Sequence, residues 1–345
     1  MHVSLVNWVN GSHNGVFTLD GAEVIGISTS LRAVDSPGSA RAALIQNRGR
    51  AFYGPVPIGK GFVLDSDEAA ALLASVATAR EVVRPYLTGS DIAEDPTQSP
   101  RRWVIDFGTR PLEEARHFGM VLEIVRERVK PDRDRNNRET YRRRWWQFGE
   151  PCKDLRRSII DLERFAVGLS TGKRASFVWA PAGTDMNNST VVFAFKDDFS
   201  MGVLQSRAHV AWAWAQASTL ETRLRYTPSS VFETFPWPGA SASAEQRERV
   251  ADACRRLLAR RSEICQAEQV GLTTLYNQVD DGAWTDLKAL HRELDVAVAD
   301  CYGWPRSIAQ DDAEIVRRLT ALNREIVEGS TAYEPFAYLE RQTQS

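Results

Sequence analysis

The strongest chemical signal in the sequence is a run of positive charge that ends on two tryptophans. Residues 126–144 hold nine Lys or Arg against four Asp or Glu, and Trp145 and Trp146 follow directly. Most of these cations are arginines, whose planar guanidinium matches the geometry of phosphate oxygens. Asparagines and Tyr141 lie among them, and such side chains bond to or stack on nucleotides. The run predicts a surface that binds the phosphate backbone of a nucleic acid.

This prediction assigns roles to particular side chains and leaves one alternative open. A charge run is often only a solvated face, in which case none of these side chains touches a ligand. The aromatic residues Tyr141, Trp145 and Trp146 either stack on the nucleic acid or brace the arginines from inside the core. The predicted phosphate contacts are Arg133, Arg135, Arg138, Arg142, Arg143 and Arg144.

The distribution of charge supports the same region. The chain of 345 residues has a formal net charge of only −2. Residues 101–174, however, carry 19 Lys or Arg and 12 Asp or Glu, a balance of +7, so the remainder carries −9. A basic region inside an otherwise acidic chain is the electrostatic pattern of a nucleic-acid contact confined to one part of the molecule.

Other kinds of chemistry have little support. The four cysteines are scattered without a Cys-x-x-Cys pair, and the five histidines show no ligand spacing, so neither a disulfide framework nor a metal site is expected. Ser170 and Lys173 match Ser-x-x-Lys, but the companion motifs of the enzymes that use it are missing. No stretch reaches the roughly 18 apolar residues of a membrane helix, and the cytoplasm is the expected location.

The elements that would position these residues belong to a mixed fold. Short β-rich runs open the chain, and the spacing over 65–87 predicts one helix of about five turns that stops at Pro85. A strand is predicted at 101–108, a helix at 111–131, and two strands around 175–181 and 189–198. These elements indicate an α+β domain.

A change in composition marks the C-terminal part. Residues 199–218 carry an apolar helical stripe with Ser200 as the expected N-cap. The small-residue stretch 239–244 reads as a linker. Three amphipathic stripes follow it, around Leu257, Leu294 and Leu319, and they predict a small helical bundle. The fold class expected is therefore a mixed α+β domain followed by a small C-terminal helical bundle.

Several of these segments resemble one enzyme family. They are "VRPYLTGSDI", "RRWVIDFG", "RERVKPDRDRNNRETYRRRWWQFGEP", "FVWAPAG", "DDFSMGVLQSRAHVAWAW", "RYTPSSVFETFPWP", "GLTTLYNQV" and "HRELDVAVADCYGWP". In this order they resemble the target-recognition and C-terminal regions of MmeI-like, type IIL adenine-specific DNA methyltransferases and their phage-defence relatives. The resemblance implies the last strands of a methyltransferase domain and a lead-in at 1–60, a DNA target-recognition domain at 61–238, and a C-terminal helical domain at 239–345.

The resemblance also implies where DNA sequence is read. In the family, residues that contact base edges lie just before the "FVWAPAG"-type strand, which here is the loop 168–176. Lys173, Arg174 and Ser170 are the expected base-reading residues, since Lys or Arg on guanine is the commonest specific contact. The alternative is that Lys173 and Arg174 are solvated cations that flank a strand.

The catalytic motifs of the family are missing from this sequence. It contains no Pro-Pro dipeptide, and the Gly-x-Gly within 54–62 lacks the strand–helix unit of a nucleotide site. No cofactor is therefore expected in this chain, and S-adenosylmethionine is expected in a catalytic domain that is lost or on another chain. The expected partners are double-stranded DNA and that methyltransferase domain or subunit.

The function expected is DNA sequence recognition for an adenine-specific methyltransferase of a restriction–modification or phage-defence system. Three alternatives stay open at this point. The chain could be a truncated fragment without a role, a protein-interaction scaffold that uses its acidic helical region, or a complete enzyme of unrecognised chemistry.

Overall fold

The computed structural model describes residues 16–24, 27, 41–220, 223–238 and 242–342. Residues 1–42 and 43–345 are two separate units. In the first, strands β1 (Phe17–Leu19) and β2 (Ala22–Val24) pair antiparallel. Asp20 and Gly21 join them with φ of 52° and 81°, the backbone that a tight hairpin turn requires. The first of the β-rich runs that open the chain, at residues 3–9, lies outside the described residues.

The second unit contains eleven of the strands in the described part of the chain and its helices. The strands are β3 (Ala51–Tyr53), β4 (Val63–Leu64), β5 (Val83–Leu87), β6 (Arg102–Ile105), β7 (Arg164–Leu169), β8 (Thr171–Gly172), β9 (Phe177–Pro181), β10 (Asp185–Met186), β11 (Thr190–Phe193), β12 (Ser218–Leu220) and β13 (Arg223–Arg225). The helices are α1 (Ser66–Ser75), α2 (Gly89–Glu94), α3 (Leu112–Ala115), α4 (Met120–Arg128), α5 (Lys130–Asp134), α6 (Glu139–Arg143), α7 (Lys153–Ile159), α8 (Asp198–Gln205), α9 (Arg207–Gln216), α10 (Ala244–Glu268), α11 (Leu272–Asp280), α12 (Thr285–Cys301), α13 (Asp312–Val327) and α14 (Ala337–Gln342).

Three sheets organise this unit. The central sheet has the order β3-β11-β7-β9 and is antiparallel throughout. A second sheet, β10-β5-β6-β4, is joined to it because β10 lies in the connection between β9 and β11. A small ribbon of β12, β13 and β8 completes the set. The predicted strands at 101–108, 175–181 and 189–198 are thus present as β6, β9 and β11.

Two apolar cores lie under these sheets. The smaller core is built from residues between Phe62 and Phe148 and lies against the second sheet. The larger core contains the central sheet together with the C-terminal helices, from Ala51 to Tyr338. The basic run at 126–144 and the predicted base-reading loop at 168–176 therefore belong to different cores.

The helix predicted to run as far as Pro85 is wrong, because the chain turns into a strand instead. Helix α1 begins with a capping box between Asp65 and Glu68 and ends after Ser75, where Val76 is extended at φ −123°. Strand β5 follows, and Pro85 lies inside it. Proline is tolerated there because β10 pairs only with Tyr86 and Leu87, so no neighbour on that side needs the missing N–H.

Two other helix predictions are corrected in detail. The helix expected over 111–131 is broken at Gly119, whose φ is +41°, so that α3 and α4 are separate. Ser200 does not cap the next helix. The carboxylate of Asp197 caps α8 by accepting from the Ser200 N–H at 2.8 Å, and Ser206 is the N-cap of α9.

The C-terminal helices confirm the predicted bundle and also close the main core. Leu257, Leu294 and Leu319 are fully buried. Helix α10 lies so close to α8 that a Cβ on Gly202 would approach Val250 Cγ1 to 2.7 Å. The main core thus contains residues from both sides of the predicted domain boundary at 238–239. The boundary itself stays a prediction. No helix in the described part of the chain is long and apolar enough to span a membrane.

Candidate nucleic-acid interface

Arg133 is the exception among the arginines of the basic run, because it is buried. Its side chain is only 2% exposed, and Nη2 donates to the carbonyls of Pro57 at 2.7 Å and Gln147 at 3.1 Å. The rings of Phe62 and Tyr141 lie 5.8 and 5.1 Å from the guanidinium carbon. Burial lowers the pKa of Arg133. A guanidinium so enclosed cannot reach a phosphate, so its assignment to the phosphate contacts is wrong.

The other arginines of the set are exposed around the short helices α5 and α6. Their contacts are local: Arg138 Nη1 donates to the Tyr141 hydroxyl at 2.7 Å, and Arg143 lies 3.7 Å from Glu139. Exposed pairs of this kind contribute little stability and break easily for a stronger ligand. The exposed members are Arg135, Arg138, Arg142, Arg143 and Arg144, and their role at phosphates stays a prediction.

The three aromatic residues of the run face inward. Tyr141, Trp145 and Trp146 are between 6 and 8% exposed, and the two indoles pack edge to face at 5.9 Å. Trp146 Nε1 donates to the Arg110 carbonyl at 2.9 Å, which satisfies its buried N–H. Of the two readings that the sequence left open, this arrangement fits bracing of the arginine surface and not stacking on bases.

The predicted reading loop is fixed at one end and open at the other. The Ser170 N–H bonds to the Ser189 carbonyl at 2.9 Å, and its hydroxyl donates to the Asn188 carbonyl at 3.3 Å. Lys173 is exposed. Arg174 is partly exposed and forms an ion pair with Asp280 of α11. Ser170 therefore anchors the loop, whereas Lys173 and Arg174 present its charge.

Two further arginines join this charge, and sequence reasoning missed them. Strand β13 pairs with β8 so that Leu224 lies opposite Gly172 and Arg225 opposite Thr171. Leu224 is buried, and Arg223 and Arg225 on the other face are exposed. The alternation Arg-Leu-Arg was the available signal, since side chains alternate across a strand. Together with Lys173, they form a cationic ribbon on β8 and β13.

Strand β13 is held to the core by a buried histidine. His209 Nε2 lies 2.9 Å from the hydroxyl of Tyr226, the residue after β13, and Nδ1 lies 2.9 Å from the Leu204 carbonyl. Burial lowers the pKa of His209 to about 4. The ring is therefore neutral near pH 7, and its polar atoms are occupied by structural partners.

An ion cluster joins the two cores. Arg156 Nη1 of α7 lies 2.5 Å from Asp106, at the end of β6, and 3.4 Å from Asp185 of β10. Both carboxylates are buried. Burial raises the pKa of Asp185 to about 7, with the negative charge of Asp106 as the second cause.

The concave regions of the described residues include a small cavity and an open groove. A cavity of about 200 Å³ between the loop 97–100 and β9 is smaller than ordinary small-molecule sites of roughly 300–1,000 Å³. A groove of about 550 Å³ between α10 and α12 is open and lined by charged side chains. No group of three or more potential metal ligands occurs within the described ranges.

Comparisons with known proteins agree with this geometry. The sequence model of the family described as "MmeI, target recognition domain" matches residues 39–239. DNA methyltransferase A of Bacillus subtilis (strain 168) is 27% identical over 186 residues, which are 53% of this chain and 19% of that protein. The solved structure of the type IIL restriction-modification enzyme MmeI in complex with DNA matches 89% of this chain and 39% of that chain, with a TM-score of 0.69 and 18% identity.

The chain spans well under half the length of both of these proteins. The solved structure shares the fold, including the C-terminal helices, and so confirms the expected fold class. The matched family region contains both the arginine-rich segment and the cationic ribbon. Because this region is more than half of the sequence, the chain belongs to the family of MmeI target-recognition domains.

Proposed function

We propose that this chain recognises the DNA sequence for an adenine-specific methyltransferase of a restriction–modification or phage-defence system. The observation that carries the proposal is the cationic ribbon: Lys173, which follows β8, and Arg223 and Arg225 of the paired strand β13 are exposed within the family's recognition region. The major groove of B-DNA admits a two-stranded β-ribbon, and arginine and lysine on guanine are its commonest specific contacts.

The two basic features divide the work of binding. The exposed arginines that follow α5 and lie in or beside α6 are next to the smaller core and contact phosphates, which fixes orientation without reading sequence. The ribbon, with Arg174, lies on the larger core and reads base edges. The base-reading side chains are supported by β13, His209 and the main core, so they are held more rigidly than side chains on a free loop.

The methylation chemistry belongs to a partner in this proposal. A methyltransferase domain or subunit binds S-adenosylmethionine and flips the adenine. This chain positions that domain or subunit at the recognition site. The missing Pro-Pro and glycine-rich motifs support that division. The complex works in the cytoplasm, where the DNA is.

The phosphate role is tested by salt dependence. We expect Arg143→Ala, in the full chain, to weaken binding to all duplexes about equally and to reduce the slope of log K against log salt by about one unit. Fluorescence anisotropy on a duplex pool with a randomised centre, read out by sequencing of the bound fraction, measures affinity and preference together. Arg142→Ala and Arg144→Ala should behave in the same way.

Arg317→Ala is the matched control, because Arg317 is also exposed but lies on α13, where it forms an ion pair with Glu314. Its salt slope should equal that of the unchanged chain. If Arg143→Ala alters the preferred sequence instead of the slope, the reader lies in the basic run and the proposed division is wrong. If the unchanged chain selects no sequence from the pool, and its affinity is no higher than the sequence-independent affinity that remains at high salt, the proposed function is wrong.

A further inference from the structure

Helix α11 of the C-terminal region holds Arg174, a predicted base reader. The guanidinium of Arg174 forms an ion pair with Asp280, the last residue of α11, and lies 5.4 Å above the ring of Tyr276. The side chains of Arg174 and Asp280 are 41% and 59% exposed. The pair is therefore open to solvent on one side and supported by an aromatic ring on the other.

The helix that carries Asp280 is itself firmly placed. Leu272 and Leu275 are fully buried in the main core. Gly271, the residue before the helix, lies against α2, where a Cβ would approach the Glu94 carbonyl carbon to 2.3 Å. The Tyr276 hydroxyl lies 2.9 Å from His291 Nε2, which fixes the ring beneath Arg174. Asp280 thus lies on a firmly placed helix, beside an arginine that is partly exposed.

We propose that Asp280 is a specificity-determining positioning residue, which orients Arg174 toward a base edge and disfavours its use on a phosphate. This inference rests on the proposed function. The planar guanidinium has two usable edges, so one can stay on Asp280 while the other donates to guanine O6 and N7. Part of the rotamer entropy of a free arginine is then lost before DNA arrives.

The same carboxylate penalises incorrect sequences. An exposed ion pair is weak, so it does not prevent Arg174 from leaving for a nearby phosphate. If Arg174 leaves, however, Asp280 faces the negative duplex without its partner, and that repulsion costs binding energy. On a preferred sequence, Arg174 remains between Asp280 and the DNA. The carboxylate therefore separates preferred from other duplexes more than it changes affinity itself.

The test compares Asp280→Asn with Asp281→Asn in the full chain. Asp281 is the next residue and is exposed, so its change removes the same charge without touching the Arg174 pair. The duplex that the unchanged chain selects from the randomised pool and a scrambled duplex of equal length are the probes. Affinities for both come from fluorescence anisotropy at several salt concentrations.

We expect Asp280→Asn to tighten binding to the scrambled duplex and to lower the ratio of selected to scrambled affinity by about 5- to 10-fold, within the range of one bidentate base contact. Asp281→Asn should tighten both duplexes alike and preserve the ratio. Asp280→Glu keeps the carboxylate and should restore the ratio to within about 2-fold of the original.

Three outcomes would overturn the inference. The first is an unchanged ratio in Asp280→Asn, while the unchanged chain still selects a sequence, which leaves the proposed function intact. The second is an equal loss of ratio in Asp281→Asn, which would make the effect one of net charge. The third is a chain that selects no sequence at all, in which case the proposed function fails together with the inference. Equal thermal unfolding midpoints of the variants exclude a loss of fold as the cause.

Discussion

Residues of one type within one short segment have different roles here, and burial decides which. Arg133 lies four residues after Val129, which is buried in the smaller core, and their shared helical face turns Arg133 inward. Arg135 and Arg142 to Arg144 point outward. Composition and spacing identified the basic region, but they did not show which arginine would be enclosed, because this depends on carbonyls of Pro57 and Gln147 that are distant in sequence.

The buried arginine gives a prediction about stability. Arg133→Ala removes two hydrogen bonds from a charged donor and leaves a cavity between Phe62 and Tyr141, so we expect it to lower the free energy of unfolding by about 2–4 kcal/mol. Denaturant titration followed by tryptophan fluorescence measures this, since Trp145 and Trp146 lie in the same core.

Arg135→Ala is the control, because Arg135 is exposed in the same segment, and its change should stay within about 0.5 kcal/mol. The opposite pattern, in which Arg133→Ala is as stable as the unchanged chain but binds DNA less well, would contradict the structural role assigned to Arg133.

At the scale of elements, periodicity predicted what depends on local sequence and failed where a distant partner decides. The strand β6 and the C-terminal helices were predicted because each carries its own apolar pattern. The predicted helix across 76–85 was wrong because Val82 and Val83 bond to or pair with residues in and after β6. The stabilisation by this pairing cannot be recognised from the local sequence. The ribbon was missed for the same reason, since a two-residue strand such as β8 exists only through its pairing with β13.

The cationic ribbon gives a prediction about sequence selectivity. Arg225 lies opposite Thr171 on the exposed face, beside the loop that carries Lys173. We expect Arg225→Ala to cost roughly 1–3 kcal/mol on the selected duplex and much less on a scrambled one, because a base contact exists only with the correct base. Anisotropy with the two duplexes measures the difference.

Leu224→Ala serves as the comparison within the same strand. Leu224 is buried, so its truncation should destabilise the fold by about 2–5 kcal/mol and reduce binding to both duplexes through the folded fraction. If Arg225→Ala weakens both duplexes equally and flattens the salt slope, Arg225 is a phosphate contact, and the reading role falls to Lys173 and Arg174.

Over the whole molecule, the resemblance of the sequence motifs to one family predicted the fold class, whereas the arrangement of cores was not predictable. The motifs lie on both cores and on the C-terminal helices, but nothing in them indicates that the second sheet has a core of its own. The junction between the cores depends on Asp106, Arg156 and Asp185, which are separated by 50 and 29 residues in sequence. Such a cluster is recognisable only when the fold brings it together.

That junction predicts how stability depends on pH. Because burial raises the pKa of Asp185 from 3.8 to about 7, the folded protein holds a proton there that the unfolded chain releases between these values. The contribution of Asp185 to stability is therefore fully present below about pH 4 and is lost as the pH rises to about 7. Asp185→Asn keeps the shape of the protonated carboxyl but cannot release the proton.

We therefore expect the unchanged chain to lose stability relative to Asp185→Asn as the pH is raised from 5 to 8, when both are unfolded by denaturant at each pH. Titrating groups that do not interact with Asp185, such as His209, are common to both proteins and cancel in the difference. Asp161→Asn, at an exposed position, should follow the unchanged chain in parallel. A difference between the chain and Asp185→Asn that stays constant, or that grows in favour of the unchanged chain at high pH, would mean that Asp185 is ionised beside Arg156 and that the two cores are joined by a charged pair throughout this range.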